Sequence, residues 1–141
     1  MNPLDLHTCL RAAALSMAVL ASAPTLAASC WDHNGSVMKL EADGNQRWIY
    51  YEEPRESLWD AGVHRGTLLF DGTNDNGWYS GQSRVFSKYC PGNPQIYAVE
   101  GPVSDGQRRI TLEGTRDKNR QCSPTGQTVH DVLVFTYLYD C

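Results

Sequence analysis

From Ser36 to Tyr139 the sequence never commits to a helical period. It is a series of short β-type runs, each cut by Gly, Asn, Asp or Pro. Ser36–Ala42 alternates, with Met38, Leu40 and Ala42 on one face and Val37, Lys39 and Glu41 on the other. Asp43-Gly44-Asn45 is a hairpin signal, and the aromatic run Arg47–Glu53 follows it, stopped by Pro54. The one helical candidate lies between Arg55 and Gly62, with proline at its first turn and glycine beyond its end. Strands are expected over residues 67–71, 78–89 (bent at Gly81), 95–100 and 108–113, with loops at 71–77 and 91–94. Residues 115–126 read as a long polar loop, and 129–139 as a strand apolar on both faces. About seven strands at short spacing give an all-β fold. Hairpin-length connections favour a small antiparallel meander barrel over a β-sandwich.

The cysteines constrain the fold next. Residues 1–28 have the order of a secretory leader: Arg11, the apolar stretch 12–20, then small residues to Ala28. Its removal takes Cys9 and leaves Cys30, Cys90, Cys122 and Cys141 in a single domain, 29–141. Four cysteines in an exported chain of this size imply two disulfides. Cys30 with Cys141, tying the ends, and Cys90 with Cys122, tying two loops, is the favoured pairing. No close CxxC pair supports zinc. A lipid on Cys30 would need an apolar residue where Ala27 stands, and would strand an odd cysteine. The expected location is therefore periplasmic or extracellular. The net charge of -4 argues against a nucleic-acid footprint. No apolar run reaches the ~18 residues of a membrane span, and a monomer is expected.

Catalytic signals are weak. Asp32-His33 and His130-Asp131 are adjacent pairs, but neighbours on a strand face opposite ways. A hydrolase would need His33, His64, His130 and Asp131 to converge across strands. No GxSxG, HExxH, P-loop or dinucleotide motif is present, and no cofactor is implied. Asp71–Gly77 offers oxygen ligands for calcium, but glycine stands at the seventh position and Gln82 at the twelfth, outside the EF-hand register. Arg108, Arg109, Arg116, Lys118 and Arg120 make the second half locally basic, which reads as a solvated face or a surface for an anionic partner. Asn34-Gly35-Ser36 is both a glycosylation sequon and a turn.

Four tryptophans and seven tyrosines are many for one small domain. Trp48, Tyr50, Trp78, Phe135 and Tyr137 are the candidate contact residues, for a partner protein on the barrel's surface or for a small apolar ligand in its interior. Residues 31–40, Trp-Asp-His-Asn-Gly-Ser-Val-Met-Lys-Leu, resemble the first strand of the avidin family. Ser80-Gly81-Gln82-Ser83-Arg84 and the disulfide-stapled barrel profile resemble bacterial inhibitors of lysozyme. Each match covers a few residues, and neither family's binding activity is carried over to this chain. The expectation is a non-enzymatic binding protein that acts on an envelope or extracellular protein, as an inhibitor in one version. Carriage of a small ligand is the alternative.

Overall fold

The computed structural model describes residues 18–21 and 26–141. Most of the expected leader, residues 1–28, lies outside the described residues. The chain forms a closed barrel of antiparallel strands, each bonded to its neighbours in sequence order. The strands are β1 Ala27–His33, β2 Ser36–Asp43, β3 Gln46–Glu53, β4 Leu68–Asp75, β5 Trp78–Val85, β6 Gln95–Ser104, β7 Arg109–Arg120 and β8 Ser123–Asp140. β8 closes the barrel on β1, with Trp31 opposite Tyr137.

The all-β meander barrel matches the sequence reading, with corrections in detail. β1 is an eighth strand. It enters β2 through Asn34-Gly35, whose φ angles of 50° and 83° are those of a tight hairpin turn. The supposed loop 115–126 is a hairpin, because β7 and β8 run on as paired strands to Arg120↔Ser123. Its residues are mostly exposed, so they carry none of the apolar alternation that marks a half-buried strand. The supposed loop 71–77 is largely strand too. β4 continues to Asp75 and only Asn76-Gly77 turns, so the acidic residues of the calcium reading are spread along an extended segment. β8 is not buried on both faces either: Val132 and Leu138 on its outer side are 53% and 44% exposed.

An eight-stranded barrel has an interior just wide enough for side chains to fill. Met38, Ile49, Phe70, Ile110, Leu112 and Phe135 are wholly or almost wholly inaccessible there. Trp31, Leu40, Tyr51, Val63, Leu69, Tyr79, Tyr97, Val99 and Leu133 complete the core. Sharp bending of the wall needs glycine. A Cβ on Gly101 would overlap the Thr111 carbonyl oxygen, and one on Gly114 the Ala98 carbonyl oxygen.

The two ends differ. Among the described residues, the connections at one end are all tight turns, at residues 44–45, 76–77 and 105–108. The other, the rim, carries the Asn34-Gly35 turn, the 54–67 connection with its short 3-10 helix Glu56–Ala61, the 86–94 loop and the overrunning β7–β8 hairpin. Gly62, with φ 84°, ends the helix as expected. The favoured disulfides are both formed. Cys30–Cys141 (Cα–Cα 5.6 Å) fixes the chain end to β1, and Cys90–Cys122 (5.7 Å) fixes the 86–94 loop to the hairpin tip. Such bonds persist in oxidising compartments. Among the described residues no helix is long and apolar enough to cross a membrane.

Candidate functional site

Following the inward positions toward the rim, apolar side chains give way to polar ones. On β7 the inward series is Ile110, Leu112, Gly114, Arg116; on β8 it is Phe135, Leu133, Asp131. Arg116 Nε donates to Asp131 Oδ2 at 2.5 Å, and the Tyr97 hydroxyl donates to the same oxygen at 3.1 Å. Arg116 Nη1 also reaches Gln95 Oε1 at 3.4 Å. Both members of the ion pair are half-buried.

Around this network the rim opens into a pocket of about 380 Å³. Leu69, Val85, Phe86 and Leu133 give it an apolar lining, while Arg55 and Arg84 join Arg116 at its edge. Arg84 is paired with Asp71 at 2.6 Å. Arg55 bonds the Asn34 carbonyl at 2.9 Å, and among the described residues it has no carboxylate partner. Its backbone is set by its own N–H, which donates to the buried Ser36 hydroxyl at 2.9 Å. Three guanidinium groups thus face one lining carboxylate.

His33 and two tyrosines complete the lining. His33 Nδ1–H donates to the Val134 carbonyl at 2.9 Å, and its ring stacks on Phe135 at 4.5 Å. Burial, reinforced by the charge of Arg55, lowers its pKa against the opposing Val134 bond, and keeps the ring neutral. Burial pushes the Tyr51 phenol up to about 12. Tyr97 is pushed to about 12 by burial first and by the Asp131 charge second. Both phenols are therefore neutral hydrogen-bonding groups at any ordinary pH.

Guanidinium groups and neutral phenols are groups that can donate hydrogen bonds to an anion. Asp131 is held by two donors, and His33 is committed to Val134, with Asn34 Nδ2 beside Nε2 at 3.5 Å. Both line the pocket, yet no bond joins them. As expected for strand neighbours, Asp32 and His130 point outward while His33 and Asp131 point inward. His130 lies on the outer wall against Glu113 at 3.2 Å, and His64 sits in the exposed 62–67 connection. The four residues of the hydrolase reading do not converge. Among the described residues no group of three His, Cys, Asp or Glu side chains is placed to hold a metal.

The five aromatic candidates are not brought together. Trp48 and Tyr50 lie on the outer wall of β3, because Ile49 and Tyr51 take the inward positions. Trp78 is at the opposite end from the rim, with its indole on Glu100 at 3.3 Å. Phe135 is inaccessible in the core. Tyr137 packs edge-on to Trp31 at 5.5 Å and bonds Asp140 at 2.8 Å. Arg55, Tyr51 and Tyr97 are not singled out by the sequence reading, Arg84 enters it only as the last residue of Ser80–Arg84, and Arg116 only as part of a basic cluster. A charged residue continuing an inward apolar phase, as Arg116 does after Ile110 and Leu112, is the signal that locates the rim.

No family model matches this chain, and no curated protein or solved structure matches it significantly. The site therefore stands on its own geometry.

Proposed function

We propose that the chain is a periplasmic or secreted binding protein that carries out no covalent chemistry and acts on another protein through its rim. The observation behind this is the location of the polar groups. Three arginines and two neutral tyrosines surround an open, partly apolar pocket at the loop-bearing end of an otherwise filled barrel. Arg, Tyr and Trp are the residue types that dominate contact energies. Trp59 and Tyr89, on the rim connections, are 60% and 64% exposed. An acidic side chain of the partner is the group that Arg55, without a carboxylate of its own, is suited to receive. Action as an inhibitor fits a rim that plugs onto a partner's surface.

A small ligand is the second reading, favoured by the pocket's size, which is within the range of small-molecule sites. Such a ligand would be anionic with an apolar body, and it would sit at the rim, since Phe135 and its neighbours occupy the interior.

Site-specific photo-crosslinking in the source organism tests the first reading. With the photoreactive residue at Trp59, a protein adduct is expected that Arg55→Glu suppresses. An adduct formed from Trp48 on the outer wall and not from Trp59 would overturn it.

A further inference from the structure

Beside the pocket, the barrel is incompletely zipped. β6 is paired with β5 as far as Val85↔Gln95, and β7 with β8 as far as Arg120↔Ser123. Between β6 and β7, however, the pairing nearest the rim is Glu100↔Glu113. Beyond it each strand has a strand partner on one side only. Side chains span the seam instead: Gln95 Nε2 donates to the Asp117 carbonyl at 3.0 Å. A backbone acceptor on the free edge of β7 is thus met by a substitute for a strand.

A groove of about 710 Å³ follows this edge, with the 86–94 loop as its far wall. The Cys90–Cys122 disulfide holds that wall to the hairpin tip, so the groove exists before anything enters it. Phe86, Tyr89 and Ile96 supply apolar contact, and Arg116 and Arg120 supply charge. Asn119 also lines it, and its Oδ1 is buried without any hydrogen-bond partner. A buried orphan acceptor costs free energy that a donor entering the groove would relieve.

We infer that the seam receives an extended acidic segment of the partner protein, which adds as a strand along the β7 edge at residues 116–120. An unpaired backbone edge is recognised by another backbone, and alternate side chains of the added strand read the flanking residues. The charge is complementary. Arg116, Lys118 and Arg120 stand on this stretch of β7 against the single acid Asp117. This rests on the proposed reading only in taking the partner to be a protein.

The test uses the full oxidised chain and a capped synthetic peptide of alternating glutamate and valine. Two control peptides replace glutamate by lysine or carry N-methyl groups at alternate backbone positions. Amide hydrogen exchange at Asp117 and Asn119 is expected to slow about tenfold with the acidic peptide. Affinity is expected to fall about tenfold with Arg120→Glu, and to weaken with added salt. Neither control peptide should bind. Binding of the N-methylated peptide would show that charge alone is read, and would overturn strand addition. So would an absence of binding by any peptide. Protection that grows with protein concentration and no peptide would assign the edge to a second copy, and would also overturn it. A chain that crosslinks through Trp59 but fails these peptide tests loses the strand mode and keeps the rim reading.

Discussion

Phe135→Ala separates a filled barrel from a ligand-holding one. Phe135 is inaccessible to solvent, pairs across the ladder with Ile110 and stacks on His33 at 4.5 Å. Removing the ring withdraws about 2 kcal/mol of apolar burial. The void, about 100 Å³ if the walls hold, adds about 2 kcal/mol. Loss of the His33 stack adds about 0.5 kcal/mol or more. The expected total is about 4 kcal/mol, or a fall in Tm of about 15 °C for a domain of this size. Phe135→Leu should cost less than half as much, and Tyr50→Ala on the outer wall less than about 1 kcal/mol. Urea titrations without reductant, followed by tryptophan fluorescence, measure all three. Partner capture at the rim should survive each change once the protein is folded. A cost below about 1.5 kcal/mol for alanine, with leucine equal to it, would refute the filled interior.

Other consequences are open to direct measurement. Tyr51 and Tyr97 should ionise late in an alkaline titration, near pH 12, as a separate phase of the phenolate absorbance. Their folded pKa lies above the unfolded value near 10, so the stability they carry is intact below pH 10 and is lost as the pH rises through 12. For Tyr51 that loss is about 3 kcal/mol; ionisation of all tyrosines in one step would contradict it. Replacing Cys30 and Cys141 by serine, which opens a separation of 111 residues, should cost about 5 kcal/mol. The same change at Cys90 and Cys122, separated by 32, should cost about 3.5 kcal/mol and speed amide exchange at the hairpin tip. The reverse order in chemical denaturation would show that contacts and not loop closure dominate. Gly101→Ala should lower stability by at least about 2 kcal/mol, since its Cβ meets backbone. Gly35→Ala, strained only by its positive φ, should lose about 1 kcal/mol.

The fold was legible where one face is wet and the other dry. Ser36–Ala42 and residues 108–113 read as strands from clean alternation, and the structure has β2 over Ser36–Asp43 and β7 from Arg109. The tight turns at Asn34-Gly35 and Asn76-Gly77 use the residues that a positive φ favours. Legibility failed where that contrast disappears. The β7–β8 hairpin beyond Asp117 is polar on both sides and mostly exposed, so it reads as a loop. In Trp48-Ile49-Tyr50-Tyr51 every residue is apolar or aromatic, so composition sets no phase, and only the closed sheet decides that Ile49 and Tyr51 face inward. The site was missed for a related reason. Its members come from β1, β3, β4, β5, β6, β7, β8 and the 54–67 and 86–94 connections, and no local spacing unites them.

Closure of the barrel also explains why the polar groups gather where they do. A closed meander leaves a sheet edge only at the β6–β7 seam, and a filled interior leaves no central cavity, so the proposed recognition falls to the outer wall, that seam and the two ends. At the turn-only end the connections are too short to build a surface. At the rim, two strands overrun their neighbours and a disulfide braces the loop beside them. The Arg116–Asp131 pair lies there in a half-buried position where an apolar pair of similar volume would hold the barrel together as well or better. Arg55 points the same way, because it is held by backbone groups and left without a counter-charge. A chain built for stability alone would continue the Ile110, Leu112 series outward with another aliphatic residue. At that position Arg116 is already answered by Asp131, so the guanidinium left for a charge from outside is that of Arg55 beside it.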